Sequence, residues 1–346
     1  MKRILILLFL LFLIGLPVQA AEILAPPVDG SAQELIPETS VSFGEDVWYI
    51  FKQAVSSLAP EIAQAAIICA GLICVTLISA VLGGYAPNSK KIIQLATTIC
   101  IATMLIEHSG SCIQLGVKTV QELCEYGKLF LPIMTTALAA EGGVTSATGL
   151  YAGTVMFNTF LSSGITKLIV PMVYIFLALC VAESATGENV LKNIKDFMKW
   201  LITWSLKTTL YLFTGYLGIT GVVSGTVDAS SIKATKLALS GFVPVVGSVM
   251  ADASEAILVS TGLMKNVAGA AGMLAFIAIC ITPFLKIGLH YMFLKLTAGI
   301  CAVFNNQEAV KLIEKFATVM GILLAMTGTV CLLHLISTVC FMRGVG

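Results

Sequence analysis

Charged side chains are scarce in this sequence. Asp, Glu, Lys and Arg make up 11% of its 346 residues, against roughly 25% in soluble domains. With 58% hydrophobic residues and a mean hydropathy of +0.96, the chain reads as an integral membrane protein. A net charge of +1 carries no nucleic-acid signature. Enzyme signatures are missing too. There is no HExxH and no GxSxG, and Gly127-Lys128 is followed by leucine and lacks the upstream glycine of a P-loop. None of the ten cysteines forms a CxxC, so neither a zinc site nor a disulfide framework is suggested. Eight of the ten lie in apolar runs, where a thiol behaves as a small hydrophobe. Cys112 and Cys124 sit in a more polar segment and would pair only if it faced an oxidising side. The three histidines give no metal set by spacing. His290 and His334 read as satisfied core residues, and His108 as interfacial. No enzymatic activity and no cofactor is expected.

What the sequence does contain is ordered along the chain. Lys2 and Arg3, the apolar run 4–16 and Val18-Gln19-Ala20 have the form of a signal peptide over residues 1–20. The other reading is an uncleaved first helix, for which 13 apolar residues is short against the roughly 20 that span a bilayer. Residues 21–60 read as an acidic extracytoplasmic leader, then an interfacial helix near 47–58 whose Trp48 and Tyr49 suit a headgroup belt. Residues 61–128 read as two spans, 62–83 and about 92–106, and an amphipathic interfacial helix over 107–128. Lys90 and Lys91 between the spans mark the cytoplasmic side. In 107–128, Ile113, Val117, Val120 and Leu123 recur at helical spacing, leaving Glu107, Lys118, Glu122, Glu125 and Lys128 on one wet face. Further spans are expected near 144–166, 168–183, 200–224, 256–281, 284–304 and 315–341.

An internal duplication divides the remainder into 129–228 and 229–346. FLPIM at 130–134 matches FVPVV at 242–246, an offset of 112. Thr148-Gly149-Leu150 matches Thr261-Gly262-Leu263, and Pro171 matches Pro283. Chance is the alternative, since apolar sequence draws on few letters. If the F-x-P segments enter and return, each half has three spans and the halves are inverted. If they cross, each has four spans and the halves are parallel. Pro132, Pro244, Pro171 and Pro283 are therefore candidate hinges or re-entrant positions. Gly221 and Gly225 form a GxxxG that favours close helix packing.

Four ionisable residues are candidates to line a pore or substrate path. Asp252 and Glu255 share a helix face at i and i+3, and an intramembrane acid is a functional hypothesis by its cost. The plainer reading leaves both wet at a membrane surface. Glu141 occupies the matching zone of the first half, and Lys286 closely follows Pro283.

The stretches FVPVVGSVMAD (242–252) and KNVAGAAG (265–272) resemble the signature region of the stage III sporulation protein AE family. The resemblance extends over most of the chain after about residue 45. It implies a polytopic, all-α protein of endospore-forming bacteria, made in the mother cell and placed in the membrane around the forespore. It also implies a secretion-like channel complex with other proteins of the same operon, including a secretion-type ATPase and ring-forming membrane proteins. It brings no catalytic residues. The expected function is a membrane-embedded, permease-like component of that complex. The rivals are a stand-alone secondary transporter using Asp252, Glu255 and Lys286, and a non-conducting scaffold.

Overall fold

The computed structural model describes residues 26, 28, 30–36, 43–186, 189–242, 247–304 and 306–343, and for 30, 31, 87, 90, 186, 189, 190, 218 and 220–264 the backbone alone. A 3-10 turn at Gly30–Leu35 precedes α1 (Phe43–Ser56), α2 (Ala59–Tyr85), α3 (Lys90–Ala140), α4 (Val144–Gly164), α5 (Val170–Thr186), α6 (Asn189–Phe242), α7 (Gly247–Ala302) and α8 (Gln307–Arg343). No strand occurs among the described residues. Among the described residues, five stretches are long and apolar enough to cross a membrane: Ala59–Tyr85, Lys91–Ala140, Val144–Ala185, Lys265–Ala302 and Gln307–Arg343. The all-α polytopic expectation therefore holds.

Helices α7 and α8 form an antiparallel hairpin. Gly321 lies beside Tyr291, Gly328 beside Phe284 and Gly269 beside Met342. Helix α3 packs on both, and its Gly116 meets Ile287, Met326 and Thr327. The core is centred here, with Ile113, Leu123, Phe130, Phe276, Ile287, Phe316 and Leu323 buried in one cluster. Helix α1 lays Ile50 against Leu274 and Ala278 of α7 in a satellite cluster. Its Trp48 and Tyr49 stay exposed, as a headgroup belt requires.

The sequence divides 92–140 into a span, an interfacial helix and the first F-x-P segment, which either returns or crosses. The structure joins all three as α3, 51 residues long. Pro132 lies inside it and opens no re-entrant loop. Proline has no N–H for the carbonyl four residues back, which here belongs to Lys128. Both Lys128 and Pro132 are exposed, so the freed carbonyl lies on the outer face and the helix continues. The chain turns later, at Glu141-Gly142-Gly143. Gly142 has φ 103°, and the N–H groups of Gly142 and Gly143 donate to the carbonyls of Ala139 and Leu138, as in a Schellman cap.

The two matched prolines differ locally. Pro171 follows a π-turn at Ile165–Ile169, a widened turn that accommodates a missing N–H. Pro283 sits within unbroken α7. Pro244 lies outside the described residues. A Cys112–Cys124 disulfide is ruled out, because 12 residues of one helix separate them by about 18 Å of rise, far beyond the reach of a disulfide.

Candidate functional site

The seam between α3 and α7 joins the sequence's two most distinctive features. Along α7, Lys265, Ala268, Gly269 and Gly272 of KNVAGAAG lie at i, i+3, i+4 and i+7, one helix face. Against them α3 sets Phe130, Met134 and the turn residue Glu141. A Cβ on Gly272 would run into the Phe130 ring, and one on Gly269 would lie 3.4 Å from Met134 Cε. Lys265 donates to Glu141 Oε2. Small residues thus let the helices close, as small-xxx-small faces do in membranes. Phe130 in turn packs edge-on against Phe276, ring centroids 5.8 Å apart.

That packing sets a cost on Gly272. Gly272→Ala gains about 1 kcal/mol of helix propensity but overpacks a ring that is already buried, at typically 1–3 kcal/mol. Thermal unfolding of the full chain in detergent should show a lowered midpoint, lower still for Gly272→Leu. Gly110→Ala, with open space around its Cα, should raise it. Equal effects at the two positions would contradict the seam.

Two further charged clusters lie inside the bundle. Lys286 of α7 donates to Glu61 Oε1 of α2 at 2.6 Å, and His290 Nε2 lies 3.8 Å from Glu61 Oε2. The His290 ring meets His108 of α3 edge-on, centroids 4.2 Å apart. At the other cluster, Glu183 Oε2 of α5 accepts from Lys195 of α6 at 2.8 Å and lies 3.0 Å from Lys315 of α8. Lys315 also donates to Ser184 Oγ. His334 places Nδ1 2.8 Å from the Val330 carbonyl.

Helix α3 also carries a polar stripe. Glu107, Ser111, Gln114, Lys118, Glu122, Glu125 and Lys128 are all exposed at spacings of three and four. Lys118 and Glu122 form an open i,i+4 pair at 3.6 Å. Glu107 to Lys128 is about 32 Å of rise, close to a hydrocarbon core of ≈ 30 Å. The predicted wet face is thus real, but it runs along the bundle as part of α3. Beside it α8 carries no charged residue over 316–342. Its neighbours α4 and α8 instead expose apolar side chains, among them Met156, Phe160, Leu332 and Val339.

Of the residues singled out from sequence, Glu141 and Lys286 are each held in an ion pair, with Lys265 and Glu61. They are separate sites, at opposite ends of the α7 stretch between Lys265 and Lys286. Asp252 and Glu255 lie on α7, and Gly221 and Gly225 on α6. Their surroundings lie outside the described residues. Sequence reasoning missed Glu61, Lys265, Glu183, Lys195 and Lys315 as partners between helices, Lys195 and Lys265 of them buried. The available signal was a charge at the edge of an uncharged run, since 266–285 holds none between Lys265 and Lys286.

Five membrane-length helices, interhelical ion pairs and no strand among the described residues define a polytopic α-helical membrane protein. The chain belongs to the stage III sporulation protein AE family, whose description matches residues 31–344. It is similar to the stage III sporulation protein AE of Bacillus subtilis (strain 168), 21% identical over 188 residues, covering 54% of this chain and 47% of that protein. The match thus spans about half the length of the curated relative. No solved structure matches.

Proposed function

We propose that this chain is the permease-like, membrane-embedded component of a sporulation secretion or channel complex. It sits in the mother-cell membrane around the forespore, mature N-terminus extracytoplasmic, beside ring-forming proteins and a secretion-type ATPase of the same operon. The family supports the sporulation setting. The conducting role rests on the polar stripe of α3. Charges at bilayer depth cost several kcal/mol against lipid and face water or protein instead. A bundle that exposes apolar side chains on α4 and α8 and charges on α3 has the surface of one wall of a wet passage, closed by further copies or partners.

Cysteines placed singly at Gln114, Lys118, Glu122 and Glu125, in a background lacking the exposed Cys74 and Cys100, test this in membranes. A charged, membrane-impermeant thiol reagent should label all four, and leave cysteines at Met156 and Phe160 unmodified. Labelling confined to one end of the stripe, or absent from it, would sink the passage. A scaffold is the second reading, favoured by Glu61, Glu141 and Glu183 each being held in an ion pair. It predicts stripe positions that become protected once the complex assembles.

A further inference from the structure

The geometry points to a transition-metal site of the zinc class where α2, α3 and α7 meet, built from His108, Cys112 and His290 with Glu61 as the fourth donor. His108 and Cys112 are i and i+4 on α3, so they share a face. Their Nε2 and Sγ atoms lie 3.8 Å apart. His290 reaches the same point from α7, and the three donor atoms all fall within 4.8 Å of one another. Glu61 Oε2 lies 3.8 Å from His290 Nε2. Donors around a tetrahedral zinc ion, at ≈ 2.0–2.3 Å from the metal, are about 3.5 Å apart. Closure of about 1 Å by side-chain rotation brings the three ring and thiol donors to that spacing, and Glu61, already beside His290, is placed to swing in as the fourth.

Burial and chemistry narrow the ligand. Cys112 is 4% and His290 5% exposed, while His108 and Glu61 are partly exposed, so the cluster is buried on one side and reached by water on the other. A thiolate with two imidazoles and a carboxylate is a borderline-soft set. It suits Zn²⁺ or Co²⁺ and discriminates against Mg²⁺ and Ca²⁺, which require oxygen. Lys286 supplies the outer support. Its ammonium holds Glu61 Oε1 at 2.6 Å and leaves Oε2 turned to His290, the arrangement by which outer hydrogen bonds orient metal ligands. On binding, the imidazoles ligate as neutral rings and the Cys112 thiol gives its proton to solvent. The ion would tie together three helices whose members lie far apart in the chain. This site is independent of the polar stripe and of any conducting role.

The test uses the full chain in detergent after chelator treatment, titrated with Co²⁺. A near-ultraviolet thiolate-to-cobalt band and strong tetrahedral visible bands should grow to saturation at one ion per chain. Cys112→Ser should lose the near-ultraviolet band, and His290→Gln should lose saturation at that stoichiometry. Cys124→Ser, on the same helix, should keep both. Zn²⁺ should raise the thermal midpoint of the unaltered chain in a concentration-dependent way, because it binds the folded state, and should not do so for Cys112→Ser. No thiolate band in the unaltered chain overturns the site, whatever the variants do. So does a band that survives Cys112→Ser. His108→Gln gives an independent variant should Cys112→Ser not fold.

Discussion

Glu183→Gln should be the most destabilising single substitution among the buried charges, at about 5 kcal/mol, the upper end for breaking a buried pair. The reason is stoichiometric. One carboxylate oxygen holds two ammonium groups, Lys195 at 2.8 Å and Lys315 at 3.0 Å. The lysine side chains are 10% and 12% exposed, so water screens neither well. Glutamine leaves two cations facing each other, with only the exposed Asp196, 3.8 Å from Lys195, to offset them. Lys195→Met removes only one cation, and Lys315 continues to neutralise Glu183, so its cost should be clearly smaller. A variant with all three replaced by apolar residues of similar volume should recover most of the stability, since buried ion networks often contribute little over well-packed apolar side chains. Thermal unfolding of the four proteins in one detergent reads the order. Glu183→Gln no worse than Lys195→Met would refute the arrangement.

How much of this was legible in the sequence depends on the range of each interaction. Hydropathy alone gives the all-α membrane class, because backbone groups in lipid must be satisfied within helices or closed barrels, and uninterrupted apolar runs of about 20 residues fit the helix. The wet face of 107–128 was also readable, since Ile113, Val120 and Leu123 are buried while Glu107, Lys118 and Glu122 are exposed. Its place in the fold was not. Helix boundaries depend on what surrounds a polar or proline residue, and Pro132 is tolerated inside α3 because its freed carbonyl faces outward. The pairings were least legible. Lys265 meets Glu141 across 124 positions and Lys286 meets Glu61 across 225, and no local periodicity reports a contact of that range. His290 read as a satisfied core histidine and His108 as an interfacial one for the same reason. The glycines of KNVAGAAG marked a close approach, yet only the fold names Phe130 and Met134 as the side chains that fill it.

Lys265→Met should cost about 3–5 kcal/mol, because it strands the carboxylate of Glu141 against the start of the seam. Lys265 is 4% exposed and its partner sits on the turn that sends the chain from α3 into α4. That turn is fixed by Gly142 at φ 103°, so the Glu141 backbone stays beside the seam when its cation is removed, its carboxylate only 22% exposed. The paired neutral variant, Lys265→Met with Glu141→Leu, removes both charges and should unfold near the midpoint of the unaltered chain. This pair of variants separates fold from function. If the ion pair serves only to pin the α3–α4 turn to α7, the double variant should support sporulation as the unaltered protein does in a sporulating host. If the pair takes part in conduction at one end of the passage, the double variant should accumulate normally in the membrane and still fail to complete spores. A single variant as stable as the unaltered chain would show that water already screens the pair and sinks the reading in which it pins the turn.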